Sequence, residues 1–267
     1  MPQGSHKNKV LDFPVNPALR EDGPWFVTHA DQVTWRGYEM DADPSSFVAL
    51  TDTWGFDDQS VFVQHRRKRN IDRASFRLLN PVFAVDCNAV YDWSGAVKQA
   101  DAKSFEVLDS GIVAQQELMT DLDFMSYAID QKYVWFHEQM YGRATAIKSA
   151  DRTTFQSFRN GYGADANCVY WGKRKLPKSD PSTWLALGNG YSMDHRRVWF
   201  QNRVLSPVQR HRFLVVNVPT IPSLATDGDR FFANDATITQ TEFERELSQA
   251  AQDLRRRAKT IAGEAKF

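Results

Sequence analysis

Aromatic residues recur at a constant spacing along most of the chain. Phe47, Phe76 and Phe105 lie 29 residues apart, and the step continues through Phe155, Trp184 and Phe213 after one interruption. Four residues before the first five of these aromatics stands an aspartate: Asp43, Asp72, Asp101, Asp151 and Asp180. A period of this length indicates one supersecondary unit that is copied along the chain and buries its apolar face against its neighbours.

The second half of each unit is equally regular. In four copies another aspartate stands ten residues after the aromatic: Asp57, Asp86, Asp165 and Asp194. In the interrupted copy Asp130 has this role. An aromatic stands three residues before each aspartate: Trp54, Phe83, Tyr127, Tyr162 and Tyr191. A valine and an aromatic follow it, as in Val90 and Tyr91. This pattern predicts two strands joined by a turn that the aspartate side chain stabilises.

The first aspartate of each unit has the features of a helix N-cap. Pro44 and Pro181 follow Asp43 and Asp180, at the position where a helix tolerates proline. A leucine three residues after the anchor aromatic would extend an apolar helical stripe: Leu50, Leu79, Leu108 and Leu187. The sequence therefore predicts a short capped helix in each unit.

Together these elements predict an α+β fold. About six units, each a β-hairpin plus a short capped helix, would be stacked or closed like a propeller; the spacing does not choose between the two. We expect an N-terminal segment over 1–24, a repeat domain over 25–238 and a C-terminal helix over 239–267. Within 241–262 an apolar stripe predicts a helix that caps one end: Phe243, Leu247, Ala250, Leu254 and Ile261.

The period is broken once, by inserts at about 109–125 and 137–144. The first insert mixes acidic and apolar side chains, so it suits a docking arm for a basic partner, or a helix laid over the repeats with Leu118, Leu122 and Met125 buried. Inserts in repeat proteins often form the binding face. The predicted partner-binding residues are Asp109, Glu117, Leu118, Asp121, Asp123, Phe124, His137, Glu138, Met140 and Tyr141.

Composition and motifs narrow the chemistry. The 33 Lys and Arg residues balance the 33 Asp and Glu residues, so a partner must be attracted by local patches. The two cysteines are too few for a disulfide framework or a zinc site, and no nucleophile, zinc or phosphate-loop motif is present. We therefore expect no catalytic residue, metal or cofactor. The basic run over 66–69 is interpreted as a solvated hairpin tip, with phosphate contact as the alternative.

The turn-and-strand segments resemble the DKNYY repeat family over roughly residues 25–235. They stand here as Asp86-Cys-Asn-Ala-Val-Tyr, Asp130-Gln-Lys-Tyr-Val-Trp-Phe, Asp165-Ala-Asn-Cys-Val-Tyr-Trp and Asp194-His-Arg-Arg-Val-Trp-Phe. The resemblance implies a bacterial protein. It also implies the kind of protein that can be encoded as an immunity partner beside a secreted antibacterial toxin.

We accordingly expect a non-enzymatic immunity protein that blocks a cognate toxin. The N-terminus has no signal-peptide pattern and no segment could span a bilayer, so we expect a cytoplasmic protein without a membrane partner. The expected toxin is a type VI secretion effector, such as a nuclease with a basic active-site surface. The alternatives are a hydrolase whose site is assembled across repeats, and a repeat scaffold for glycans or nucleic acid.

Overall fold

Seven small antiparallel sheets follow one another along the chain. The computed structural model describes residues 25–111, 125–138, 142–158, 161–216 and 223–264, with the side chains of the last stretch described through 252 and at 255. Within each sheet, strands that are neighbours in sequence are also neighbours in space. Each sheet is therefore a meander, and its first and last strands form its two edges.

The first sheet has three strands, β1 (Phe26–Thr28), β2 (Val33–Trp35) and β3 (Tyr38–Met40). Each of the other six sheets has four strands. The second consists of β4 (Val48–Ala49), β5 (Trp54–Phe56), β6 (Val61–Val63) and β7 (Arg66–Lys68). The third consists of β8 (Arg77–Leu78), β9 (Ala84–Val85), β10 (Val90–Asp92) and β11 (Gly95–Ala96). The fourth consists of β12 (Glu106–Val107), β13 (Met125–Ile129), β14 (Val134–Glu138) and β15 (Thr145–Ile147). The fifth consists of β16 (Gln156–Ser157), β17 (Tyr162–Ala164), β18 (Val169–Trp171) and β19 (Arg174–Lys175). The sixth consists of β20 (Leu185–Gly188), β21 (Tyr191–Met193), β22 (Val198–Phe200) and β23 (Arg203–Val204). The seventh consists of β24 (Leu214–Val215), β25 (Leu224–Thr226), β26 (Phe231–Ala233) and β27 (Ala236–Ile238).

The helix predicted near the C-terminus is confirmed as α1 (Gln240–Glu264). Thr239 and Glu242 form a reciprocal capping box, in which Glu242 N donates to Thr239 Oγ1 at 3.2 Å and Thr239 N donates to Glu242 Oε2 at 2.8 Å. The ring of Phe243 packs on Phe231 in β26, with their centroids 4.9 Å apart. The helix therefore contacts the seventh sheet through its first turn.

The short helix predicted in each unit is not found as an α-helix in the described residues; a single 3-10 turn, Arg210–Arg212, precedes the seventh sheet. The α+β assignment is therefore wrong, and the fold is nearly all β. Asp43 does accept a hydrogen bond from Ser45 N at 2.9 Å, as a cap would, but the backbone makes only one turn. The strand β4 then begins directly after Phe47, because its backbone pairs with β5. Phe47 and Leu50 would share one face of a helix, whereas in an extended segment they point to opposite sides.

Six buried aspartates tie the turns of each unit together. In each, Oδ1 accepts the N–H groups two and three residues later, and Oδ2 accepts an N–H group from the turn before. At Asp194 the donors are Arg196 N and Arg197 N, both at 2.7 Å, and Asp180 N at 3.0 Å. The six are Asp57, Asp86, Asp130, Asp165, Asp194 and Asp227, none more than 4% exposed. The predicted role of these aspartates in a turn is confirmed. The structure adds the hydrogen bond by which each one also holds the preceding turn of its unit, as Asp194 does with Asp180 N.

Two of these carboxylates, those of Asp86 and Asp227, are stabilised in their charged form although they are buried. Burial raises the pKa of Asp86, but hydrogen bonds from the N–H groups of Asp72, Asn88 and Ala89 outweigh it, and the resulting pKa lies below the ordinary value. The same balance lowers the pKa of Asp227. A lowered carboxyl pKa contributes stability that is present above the unfolded pKa and is lost as the pH falls through the folded one.

The core lies between successive sheets. In four units the aromatic three residues before the buried aspartate reaches the next unit with its polar atom: Trp54, Tyr127, Tyr162 and Tyr191. The Tyr127 hydroxyl bonds the carbonyls of Gly161 at 2.9 Å and Gly172 at 2.8 Å, and the Tyr191 hydroxyl bonds those of Ser223 at 2.9 Å and Asn234 at 2.8 Å. Each hydrophobic layer therefore includes residues of two or more sheets.

The anchor aromatics Phe47 and Phe155 each lie over a glycine in the second strand of their own sheet, Gly55 and Gly163. A Cβ atom added at Gly55 would lie 2.5 Å from Cζ of Phe47, which is closer than carbon atoms can approach. The equivalent residues are all small: Gly55, Ala84, Ala128, Gly163, Ser192 and Ala225. This requirement completes the repeat pattern.

Replacement of a buried aspartate should destabilise the protein strongly. Asp194→Ala leaves three backbone N–H groups without an acceptor, and we expect the free energy of unfolding to fall by about 3 kcal/mol, measured by denaturant titration. Asp180→Ala is the matched control from the other turn of the same unit. Its carboxylate is nearer the surface, so water can replace it and the loss should be clearly smaller. Equal losses would contradict a special role for the buried aspartate.

The contact between anchor ring and small residue is testable by a double-mutant cycle. Gly55→Val should lower the free energy of unfolding by about 2 kcal/mol, because the added methyl groups meet the Phe47 ring. The cost of the same substitution should shrink when Phe47 is replaced by alanine. Additive effects would show that the ring does not set the size limit at residue 55.

Candidate protein-binding edges of the repeat body

The interrupted unit forms the fourth sheet, whose central hairpin is longer than the others. Its strands β13 and β14 have five residues each, and Met125 pairs with Glu138 at the outer end. Glu138 is half-buried there. The other predicted residues of the two inserts lie outside the described residues, and their partner-binding role stays a prediction: Glu117, Leu118, Asp121, Asp123, Phe124, Met140 and Tyr141.

Asp109, predicted to contact a partner, joins three sheets. Its carboxylate accepts hydrogen bonds from Tyr127 N at 2.9 Å, Ser126 Oγ at 2.8 Å and Ser157 Oγ at 2.7 Å. Asn80 of the third sheet donates to the Asp109 carbonyl at 3.3 Å. Burial raises the pKa of Asp109, and the hydrogen bonds oppose that shift. The geometry therefore gives this side chain a structural task and leaves it little contact with solvent.

The repeat pattern of the sequence could have predicted this structural role of Asp109. Thr51, Asn80 and Asp109 each stand four residues after an anchor aromatic, and each side chain bonds the chain just beyond it. Thr51 Oγ1 accepts Trp54 N at 3.1 Å, and Asn80 Oδ1 accepts Phe83 N at 2.8 Å. A polar residue at this offset therefore belongs to the unit, and the insert begins only after it.

His137, also predicted to contact a partner, is fully buried on β14. Its ring lies edge-on to Trp93 and Phe83, with centroids 5.2 and 6.0 Å away. Among the described residues, neither ring nitrogen has a hydrogen-bond partner within normal geometry. Burial lowers the pKa of His137, while Asp92, the backbone of Gly142 and Glu138 oppose the shift. The imidazole is therefore inaccessible to a partner in this conformation.

Ser126 pairs with His137 across the hairpin and bonds Asp109, which places a serine, a histidine and a carboxylate close together. Nucleophilic catalysis would need the serine proton to face the histidine and the oxygen to face a substrate. Here Ser126 has no exposed surface, donates to Asp109 and accepts from Asn80 Nδ2 at 2.8 Å. Its hydroxyl is fully occupied, so this group works as a buried polar link.

Exposed apolar side chains gather on the first-strand edges of the last three sheets. Leu185 on β20 is 60% exposed, Leu214 on β24 is 68% exposed, and Phe158 beside β16 is 38% exposed. Phe158 packs on Trp184, and Asn189 donates to the Val216 carbonyl at 2.7 Å, so these edges are neighbours. Apolar side chains grouped in this way are typical of protein-binding surfaces.

The fold does not require these leucines. The residue that follows the anchor aromatic is exposed in all six four-stranded sheets: Val48, Arg77, Glu106, Gln156, Leu185 and Leu214. Charged side chains occupy the same position in the third and fourth sheets without disturbing the strand. Because the position accepts arginine and glutamate, the two exposed leucines are free to serve a contact outside the chain.

Tryptophan offers little surface for ligand stacking. Six of the eight tryptophans are buried: Trp35, Trp54, Trp93, Trp135, Trp184 and Trp199. Trp25 and Trp171 are half-buried. A scaffold for glycans or nucleic acid would stack its ligands on exposed aromatic rings, so this alternative loses its main support.

Two searches of the described residues were negative. No three His, Cys, Asp or Glu side chains in that part of the chain are placed together as metal ligands. None of its helices combines the length and apolar composition needed to cross a membrane.

The comparison with known proteins gives one match. The model of the DKNYY family matches residues 26–170, which is more than half of the 267 residues and runs from the first sheet into the fifth. No curated protein and no solved structure matches the chain.

The buried imidazole of His137 should make stability depend on pH. Its native pKa is lowered, whereas in the unfolded chain it is about 6.5, so below that pH the unfolded state binds a proton that the native state does not. Stability should therefore fall from about pH 6.5 downwards, by at most about 1.4 kcal/mol per pH unit. His137→Phe should remove this slope in denaturant titrations at several pH values.

The control for this titration is His195→Gln, since the His195 side chain is 41% exposed and outside the core. This variant should keep the slope. A slope that persists in His137→Phe would mean that another group causes the pH dependence.

Proposed function

The chain belongs to the DKNYY family, and from that premise and the exposed apolar edge we propose that it is a non-enzymatic immunity protein. It binds and blocks a cognate secreted antibacterial toxin in the cytoplasm. The toxin is expected to be a type VI secretion effector that acts inside the cell, such as a nuclease. The observation that carries this proposal is the row of exposed apolar residues on the last three sheets.

The shape of these edges supports recognition of a protein. Each first strand lies at a sheet edge, so its outer backbone groups are available to a partner strand as well as its side chains. Leu185 and Leu214 would serve as apolar anchors, and such anchors supply most of the affinity of protein interfaces. A rigid β body presents them with little loss of conformational entropy on binding.

The use of the repeated acidic residues also favours binding over catalysis. A hydrolase assembled across repeats would draw on the regularly placed aspartates. The buried ones each accept at least three hydrogen bonds within the fold, and those of the other turn bond nearby serine or threonine residues, as Asp180 does with Ser182 Oγ at 2.6 Å. Their regular placement is thus explained by turns and by links between turns.

Charged residues on the apolar edge should abolish the protection of bacteria against the cognate toxin. We expect Leu185→Asp with Leu214→Asp to weaken binding of the cognate toxin by about 100-fold or more, because two apolar anchors are lost and two charges must be desolvated. The measurement is bacterial growth during co-expression with the toxin encoded beside this chain, together with the affinity of the purified pair.

Val204→Asp is the matched control, since Val204 is 42% exposed on β23, the opposite edge of the sheet that carries Leu185. This variant should protect like the wild type. A parallel arm reverses the charges at Glu117, Asp121 and Asp123, which tests the acidic insert separately. Full protection by the Leu185 and Leu214 double variant would refute the edge as the binding surface, and a neighbouring gene product that is harmless alone would refute the immunity role.

A further inference from the structure

A pocket of about 440 Å³ opens between the second and third sheets, on their fourth-strand side. One wall is β7 and the loop after it, with Arg67, Lys68 and Arg69. The opposite wall is the β10–β11 hairpin, including Tyr91 and Ser94. Its size is within the range of about 300–1,000 Å³ that is usual for small-molecule sites.

Lys68 occupies a repeat position that is otherwise apolar. It pairs with Val61, the valine four residues after the buried aspartate. The residues opposite the equivalent valine or phenylalanine in the other sheets are Met40, Val97, Ile147, Leu176, Leu205 and Ile238. Five of these six are buried and the sixth is half-buried. The fold therefore calls for an aliphatic side chain here, and the second sheet alone has a cation among the described sheets.

The charge on Lys68 is only partly compensated. Its Nζ lies 3.5 Å from the Trp93 carbonyl, at the limit of a hydrogen bond. Burial and the neighbouring Arg66 both lower the pKa of Lys68, and Asp92 opposes them. A cation that is penalised by burial and by a like charge is stabilised when an anion binds beside it.

The only carboxylate in the pocket wall among the described residues is already saturated. Asp92 is 2% exposed and accepts hydrogen bonds from Ser94 N at 2.8 Å, Gly95 N at 3.1 Å and Ala144 N at 2.7 Å. It therefore serves the hairpin and the junction with the fourth sheet. Lys68 and Arg69 against this one carboxylate leave the wall with a net charge of +1, since the Arg67 side chain lies on the other face of β7.

Arg69 is the arginine of the wall that is open to a ligand. It is exposed and makes no hydrogen bond or ion pair to the described residues. Arg67 pairs with Phe62, on the other face of β7 from Lys68, and its guanidinium lies 3.4 Å from Asp41. A free guanidinium such as that of Arg69 suits a phosphoryl group, because it can donate two hydrogen bonds to the phosphoryl oxygens.

We infer that this pocket binds a phosphorylated small molecule, with Lys68 and Arg69 beside the phosphoryl group. A phosphoryl group has three acceptor oxygens, so it can accept hydrogen bonds from the Lys68 ammonium and the Arg69 guanidinium together. The pocket has room for more than the phosphoryl group, and Val63, Ile71 and Ala96 give it an apolar side for a ring. This site is separate from the apolar edge and does not depend on toxin binding.

The decisive experiment uses the full chain and isothermal titration calorimetry at low salt. The probes are adenosine monophosphate and glucose 6-phosphate, with adenosine, glucose and inorganic phosphate for comparison. We expect at least one phosphorylated probe to bind with a dissociation constant of about 1 mM or less, and roughly 10-fold tighter than its unphosphorylated counterpart and than inorganic phosphate. Absence of binding by both phosphorylated probes at about ten times that concentration would overturn the inference.

Two single substitutions test the role of Lys68. Lys68→Leu restores the residue type of the other units, so we expect a higher thermal midpoint together with a loss of affinity of about 10-fold or more. Lys175→Leu removes the same charge from β19, the fourth strand of the fifth sheet, and should leave affinity unchanged. Equal losses in both variants would show attraction by overall charge, and a lower midpoint in Lys68→Leu would show that Lys68 serves the fold. Either result would overturn the inference.

Discussion

The hydrogen bonds of the buried aspartate are the constraint on which the rest of the structure depends. One carboxylate holds the turn between the second and third strands and also the turn that leads into the same sheet. At Asp165 the donors are Asn167 N, Cys168 N and Asp151 N, at 2.8, 2.7 and 2.8 Å. Because both oxygens must find these donors, the two turns are held together in space. They lie 14 residues apart in sequence in four units, and the same bond is kept where the separation grows to 18 residues at Asp227 and 29 at Asp130.

Packing between sheets adds a second fixed relation. The anchor rings Phe47 and Phe155 lie over a glycine of their own sheet. In four units the aromatic before the buried aspartate donates to a carbonyl of the next unit, as Tyr162 does to Gly190 at 2.6 Å. Most residues that recur along the repeats therefore serve the fold. What the protein does for the cell must rest on positions where the copies differ, and Leu185, Leu214 and Lys68 are three of these.

Much of the fold could be predicted from the sequence, and the failures have physical causes. The period, the turns and the C-terminal helix could be predicted, since each depends on local pattern. The short helices could not, because an aspartate followed by serine or threonine caps a single turn as well as a helix, and only pairing with the next hairpin decides. The first sheet has three strands and departs from the repeat pattern, because His29 stands where the other units have aspartate, although His29 N still bonds the Gln32 carbonyl. The roles of Asp109 and His137 depend on contacts between sheets, which spacing along the chain does not reveal.

The two edges of the sheets differ in chemistry, and this difference bears on how both proposed sites could work together. The first-strand edges of the last three sheets carry the exposed side chains of Phe158, Leu185 and Leu214. The fourth-strand edge carries Arg67, Lys68 and Arg69 in the second sheet and Arg174 and Lys175 in the fifth. Each sheet packs on the next through aromatic rings and shared hydrogen bonds, so a body of this kind transmits little local movement. A ligand in the basic pocket would therefore stabilise the second and third sheets without reshaping the apolar edge. Binding at the two sites should be energetically independent, because coupling would need an element with two arrangements and the described residues form one continuous packed series.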